Sequence, residues 1–277
     1  MGLSSRILRP KGVKLSINPE FQHLQTWLIS LPRATKRRKT MLARLEKLQI
    51  PYSVFDGIDA ISQEQRLLET VDQTEFVRNM GRKILIGGMG SYHSHLGVWR
   101  QFLETDAKFA LVIEDDVVFH DDFVDSLEAA LSACDHWDLL KLNCIRAKLP
   151  ICQGKVESYQ LNAYLGPNTG TGAYLINRQT AEKLLPKMLP ITRATDHEIN
   201  RFFVHDFRLR GLEPFPSHPD DESFSLITGN NFADVVKLPF LKRLPYYWLK
   251  AGNYARRLMW LARKNELIGS SKSLASK

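Results

Sequence analysis

Glu114, Asp115 and Asp116 follow directly on an apolar run, residues 109–113. Five apolar residues with β-branched content have the length and character of a buried strand. Three consecutive acids are what a core would not accept. In extended chain alternate side chains share a face, which puts Glu114 and Asp116 together and Asp115 opposite. Two oxygen donors there suit a hard divalent cation, Mn²⁺ or Mg²⁺, that also holds substrate phosphates. The carboxyl ends of strands are where open α/β sheets bind ligands. The plain alternative is a strand that ends in a polar turn, with Asp121 or Asp122 capping the next helix.

Other chemistry-bearing residues fall at other predicted junctions. Residues 26–31 read as a strand stopped by Pro32, and 33–47 as a helix with Met41, Leu42 and Leu45 at helical spacing. Residues 52–55 read as a second strand, ending in Asp56-Gly57-Ile58-Asp59. Strand, helix, strand is a βαβ unit and implies a parallel sheet. Arg33 and Asp56 then stand at strand ends, where nucleotides bind, while the charges from Arg33 to Arg38 otherwise read as a solvated helix face. Gly87-Gly88-Met89-Gly90 precedes a predicted helix but lacks the full dinucleotide or P-loop spacing, so it reads as a loop. His95 lies at the edge of that helix's apolar face and reads as packed, and His93-x-His95 points two rings apart.

Thr169-Gly170-Thr171-Gly172 sets small residues where backbone can approach a sugar or an acceptor. Thr195 and Glu198 have capping-box spacing, which gives Asp196 a role at the helix dipole. Asp196 is also a carboxylate at a loop–helix junction, where a general base could reach a hydroxyl. Residues 217–222 supply a second acidic cluster with a histidine, His218.

These residues need elements to position them. Further strands are predicted at 138–142, 159–165 and 172–176, and helices at 123–131 and 178–185, with one helix and a connection in 61–86. Residues 148–157 contain Pro150 and Gly154 and read as a surface loop. At 277 residues, 44% hydrophobic and 25% charged, the chain can bury a full core as one α/β domain with an appendage or as two small domains. Three cysteines, widely spaced and without C-x-x-C, argue for a reducing compartment and against a disulfide framework or zinc site. Residues 1–20 lack an apolar core, so no signal peptide is expected. No stretch has the apolar length to span a bilayer.

The net charge of +8 is concentrated. Residues 237–277 hold ten Lys or Arg against Glu266, so +9 lies there and 8 − 9 = −1 in residues 1–236. A near-neutral body argues against nucleic acid as a partner. The division expected is a loosely held arm (1–22), a folded body (23–236) and a basic amphipathic tail (237–277). In that tail Tyr247, Ala251, Tyr254, Leu258 and Leu261 fall on one helical face with Arg256, Arg257, Arg263 and Lys264 elsewhere. That pattern suits an anionic membrane surface, and equally a helix docked on the body. Residues from Gly269 onward read as disordered.

Taken in order, several pieces resemble glycosyltransferase family 25, which includes lipooligosaccharide galactosyltransferases and collagen-modifying relatives. Leu28-Ile29-Ser30-Leu31-Pro32-Arg33 with its basic helix resembles the family's opening signature, and residues 55–60 its second strand end. Gly90-Ser91-Tyr92-His93-Ser94-His95 with Trp99 is similar to a "G…SH…W" element, and residues 111–117 to the family's metal-binding "LVLEDD" stretch. Trp137-Asp138, residues 172–176 and the Pro190…Asp196 spacing also fit. Where the family usually has Gly-Glu-x-Gly-Cys, this chain has Gly88 and Ser91 in place of the acid and the cysteine.

The resemblance implies a GT-A type α/β nucleotide-sugar-binding fold with a mainly parallel sheet, and inverting transfer, most often of galactose from UDP-galactose, to a saccharide or glycolipid acceptor. It implies a metal at Asp116, with Glu114 supporting it or the donor ribose and His218 or Asp220 completing the site. It places Asp115, Arg33, Asp56, His95 and Thr171 toward substrate, and Asp196 as the leading base. The expected location is cytoplasmic, peripheral on the inner membrane. Two rival classes remain: a metal-dependent phosphodiesterase or nuclease using Glu114 and Asp116, and a non-catalytic saccharide- or membrane-binding module.

Overall fold

The computed structural model describes residues 19–220 and 238–274. The arm before Pro19, and Asp221 and Glu222 of the second acidic cluster, lie outside the described residues. The chain opens with the expected βαβ unit: β1 (Leu24–Ser30), α1 (Thr35–Lys47) and β2 (Ser53–Asp56). Only Met41 and Leu45 of α1 are buried, so the helix rests on the sheet by a narrow stripe. Two helices, α2 (Glu64–Leu68) and α3 (Gln73–Met80), occupy the weakly periodic segment that follows. Asp72 caps α3 by accepting a hydrogen bond from Glu75 N at 2.9 Å, and Gly81 ends it in the left-handed region, φ 65°.

The glycine cluster is not a loop. It forms the first turn of α4 (Ile86–Leu103), because the helix must pass very close to the βαβ unit. A Cβ on Gly90 would stand 2.4 Å from the Ile58 carbonyl oxygen, and one on Gly97 2.3 Å from the Phe55 ring.

The order continues β3 (Phe109–Glu114), β4 (Val117–Phe119), α5 (Phe123–Ser132), β5 (Leu139–Lys141), β6 (Arg146–Ala147) and β7 (Pro150–Val156). Then come β8 (Tyr159–Tyr164), β9 (Asn168–Thr169), β10 (Ala173–Asn177), α6 (Arg178–Leu184), α7 (Thr195–Ile199) and α8 (Phe202–His205). The last are β11 (Leu209–Glu213), β12 (Ser217–Pro219) and α9 (Leu244–Arg263). The expected surface loop at 148–157 is instead the edge strand β7. Pro150 is tolerated as its first residue and Gly154 sits at a register shift after Cys152, positions where an edge strand accepts both.

Eight strands form one sheet in the order β2-β1-β3-β10-β5-β11-β8-β7. Parallel pairing joins β1 to β2, β1 to β3 and β5 to β11, and the other four pairs are antiparallel. The sheet is therefore mixed, although only β10 and β8 run against the other strands. β10 is reversed because its chain enters beside the carboxyl end of β3, with Ala173 opposite Ile113. That reversal brings the loop before β10 to the strand end that carries the acids.

Both faces of the sheet are covered. Ala110 and Val112 of β3 pack with Trp27, Trp99, Phe102 and Tyr174, while Leu111 and Ile113 pack with Leu28, Leu45, Leu127 and Trp137. The alternation follows the period of two in a strand. None of the three cysteines forms a disulfide.

The tail belongs to this packing. α9 buries Arg257, Trp260 and Leu261, with Trp260 edge-on to Phe202 at 5.0 Å and donating to Asp206 at 3.0 Å. This corrects the expected apolar face: Tyr247 and Tyr254 are half-buried, Ala251 and Leu258 are exposed, and Arg257 turns inward. Of the residues read as disordered, Ser273 bridges Lys155 of β7 and Leu274 covers Gly154. Among the described residues no helix is long and apolar enough to cross a membrane.

Candidate functional site

β3 ends at Glu114 and the chain turns at Asp115 and Asp116 into β4. The turn exposes Glu114 and Asp116 to a cleft of about 780 Å³, whereas Asp115 is absent from its lining. Asp115, 8% exposed, faces the other way. Ser30 Oγ donates to it at 2.6 Å and Arg37 forms an ion pair with it. Arg37 also pairs with Asp116 at 3.0 Å. The basic face of α1 is thus less solvated than its charges suggest: Arg37 holds the acidic turn, Arg38 bonds Asp56 at 2.7 Å, and Arg44 donates to the Val117 carbonyl at 2.7 Å.

Glu114 is held from beneath by a chain of donors. Trp99 Nε1 can only donate, and it donates to the Tyr174 hydroxyl at 2.9 Å. That hydroxyl is 3.0 Å from His95 Nδ1. On the other side of the ring Nε2 lies 2.9 Å from Glu114 Oε1 and, since a carboxylate can only accept, donates to it. His95 is 1% exposed and outside the cleft lining. It is spent on orienting Glu114, because α4 runs under the strand end. Burial pushes the Glu114 carboxyl up, but the bonds from His95 and Thr171 and the Arg37 charge outweigh it and the net direction is down. For Asp116 the balance falls the other way. Burial and the charge of Glu114 push it up to about 7, against the pull of Arg37.

The loop from Thr169 to Gly172 ties this turn to Asp196. Thr171 Oγ1 donates to Glu114 Oε1 at 2.6 Å, and the neighbouring Gly170 N–H donates to Asp196 Oδ2 at 3.1 Å. Gly170 has φ +102°, a conformation that L side chains rarely adopt. Beneath the loop, Lys141 is fully buried on β5 and its ammonium donates to the Gly170 carbonyl. Burial pulls Lys141 down to about 8, while the charges of Asp196, Cys144 and Glu114 oppose that. Asp196 is pushed up by burial, but His197, Lys141 and two backbone N–H groups hold it below the usual carboxylate range. The capping box does not form. Ala194 is the cap, without a side-chain bond, and Glu198 turns inward to Arg201 at 3.0 Å and His205 at 2.9 Å.

Asp116, Glu114, Thr171 and Asp196 therefore share one cleft, with Asn143, Gly88, Ser91 and Asp220. Other expected residues do not reach it. Arg33 binds Asp59 at 2.6 Å, and Asp56 is spent on Arg38; both stand at neighbouring strand ends outside the lining. His218 pairs with His120 at 2.8 Å, because β12 hydrogen-bonds to β4 and carries it away from the acids. Residues of the site were missed in the sequence, among them Arg37, Lys141 and Asn143. Lys141 left one trace there, a charge inside the apolar run Leu139-Leu140-Lys141-Leu142.

Among the described residues no group of three or more His, Cys, Asp or Glu could hold a metal alone. Glu114 and Asp116 nevertheless supply the hard oxygens that Mg²⁺ or Mn²⁺ takes when substrate phosphates complete its shell. Asp116, pushed up by the charge of Glu114, also fits a seat that a cation would relieve.

Fold and cleft together define an α/β protein that presents paired carboxylates and a third, separately held acid at the ligand-binding ends of its strands. The chain belongs to glycosyltransferase family 25 (LPS biosynthesis protein), whose model matches residues 23–199. It is 27% identical over 247 residues to procollagen galactosyltransferase 1-B of Xenopus laevis, covering 78% of this chain and 39% of that protein. It is 24% identical over 212 residues to procollagen galactosyltransferase 2 of Homo sapiens, covering 70% and 34%. A protein named probable inactive glycosyltransferase 25 family member 3, from Bos taurus, is 27% identical over 212 residues, covering 70% and 36%. The matches thus span little more than a third of these relatives' length.

Proposed function

We propose that this chain is an active inverting glycosyltransferase of GT-A type, moving a hexose, galactose from UDP-galactose, onto a saccharide acceptor of lipooligosaccharide or lipopolysaccharide. The observation that carries the reading is the shared loop: Gly170 and Thr171, adjacent in sequence, bond Asp196 and Glu114 across one cleft. Inversion needs one base opposite the leaving group to take the acceptor proton. Asp196, ionised and held by two N–H groups, is that base. Glu114 and Asp116 would hold Mn²⁺ or Mg²⁺, which when bound would neutralise charge on the departing diphosphate. Asn143 Nδ2, buried without a partner, is free to donate to a sugar hydroxyl. Galactose is suggested by the names of the relatives. A phosphodiesterase with two metals would need more ligands than these carboxylates supply.

The same reading places the protein on the cytoplasmic face of the inner membrane. Its support is the outer face of α9, where Leu244, Trp248, Leu258 and Met259 are exposed beside the exposed cations Arg256 and Arg263.

Titration of UDP with and without Mn²⁺, followed by UDP-galactose turnover with and without lipooligosaccharide fragments, tests the proposal. Mn²⁺ should tighten UDP, and sugar should move only when acceptor is present. Donor cleavage that ignores the acceptor points to the phosphodiesterase, and no UDP binding to a binding module. Asp116→Asn should abolish metal-dependent transfer and leave the thermal melt intact; near-normal turnover would remove Asp116 from the metal seat.

A further inference from the structure

One wall of the cleft is built of guanidinium groups with too few carboxylates. Arg193 and Arg201 share a single acid, Glu198, at 3.4 and 3.0 Å, and His205 also bonds it. Arg82 lies over the Phe76 ring at 5.9 Å. Arg257, on α9, is 6% exposed. It donates to the Asn200 carbonyl at 3.2 Å and lies over Phe203 and Tyr254 at 5.6 and 5.8 Å. No described carboxylate ion-pairs with Arg82 or Arg257, and the Nε atoms of Arg201 and Arg257 are buried without partners. All four arginines line the cleft.

Burying cations without counter-charge is expensive, and removing water from a guanidinium without satisfying its donors adds to the cost. Arginine forks match phosphate and carboxylate geometry, so an anion seated there would offset both. The position of the cluster says which substrate brings the anion. Arg82 feels the charge of Asp196, and Arg193 and Glu198 flank Asp196 in sequence. The cluster thus lies on the side of the base.

We infer that this arginine wall binds an anionic substituent, a phosphate or a carboxylate, carried by the saccharide acceptor, and that it is separate from the seat of the donor diphosphate at Glu114 and Asp116. The inference rests on the reading of Asp196 as the base that faces the acceptor. An uncharged saccharide would leave the wall unsatisfied and would bind more weakly.

Calorimetric titration of the full chain with glucose 6-phosphate, glucuronate and glucose, each with and without saturating UDP and Mn²⁺, tests it. Both anions should bind while glucose at the same concentration does not, and UDP should leave their affinities unchanged. Arg82→Gln should weaken glucose 6-phosphate about tenfold and shift UDP affinity by less than about twofold, as loss of one charged hydrogen bond requires. Lys250→Gln, at an exposed position of the same wall, is the second variant and should weaken the same ligand about threefold, with no effect on folding. Equal binding of glucose, displacement of the phosphosugar by UDP, or unchanged affinity in both variants would overturn the inference. A chain that fails to bind UDP would count against the donor reading alone, because the anion arms are read without it.

Discussion

Asp196 is a carboxylate whose environment has been arranged to keep its charge. Burial disfavours the anion, but His197, Lys141 and the N–H groups of Gly170 and His197 overcome that. Asp196→Asn keeps an oxygen for the Gly170 N–H and removes the proposed base. Turnover should fall at least about a hundredfold, the usual worth of a placed general base, while UDP affinity stays the same; equal turnover would show that another group takes the proton. Lys141 yields a pH dependence. Its native pKa of about 8 lies below the ordinary 10.5, so between those values the unfolded chain binds more protons and stability rises with pH. The penalty is fully present below about 8. Denaturant titrations from pH 7.5 to 10.5 should show wild type gaining on Lys141→Met by roughly 3 kcal/mol, slightly under 2.5 pH units at about 1.4 kcal/mol each because the unfolded lysine is only half deprotonated at the upper limit; parallel curves would sink this account. The shared face of Glu114 and Asp116 was legible from strand period alone. Lys141 was not, because its burial is imposed by a loop arriving from Gly170, far along the chain.

At the scale of elements, α4 links the core to the site. Its Gly90 touches the Ile58 carbonyl, and its His95 orients Glu114. Gly90→Ala must move either the helix or backbone 57–60. Overpacking of this kind should cost about 1–3 kcal/mol in urea denaturation; an unchanged midpoint would mean that the loop yields freely. Short-range pattern marked the glycines but misjudged their purpose, since a loop and a close helix contact demand the same residue. β7 failed for a similar reason: Pro150 and Gly154 forbid a central strand but not an edge strand, and only the sheet order decides which it is.

Across the whole molecule, α9 is both wall and outer surface. Its inner face buries Trp260 and Leu261 and brings Arg257 to the cleft, so removing residues 237–277 would strip the core and the site together. A point change on the outer face is the cleaner probe of membrane contact. Trp248, 78% exposed, touches no part of the proposed machinery. Trp248→Glu should abolish co-sedimentation with anionic vesicles and leave the melt and transfer to a soluble acceptor intact. Undiminished sedimentation would reject this face as the membrane contact.

The sequence by itself determined the local pieces of this protein. It set the βαβ entry, the apolar strand that ends in three acids, the small-residue loop and the order of family-like segments. Each of these depends on residue type and near-neighbour period. The tertiary structure decided what those pieces meet. It sent Arg37 to the acidic turn, His95 beneath Glu114, His218 away to His120, and Arg257 into the cleft. The reason is physical: ion pairs and buried hydrogen bonds join residues far apart in the chain, and which ones meet depends on strand order and helix placement that no local pattern encodes.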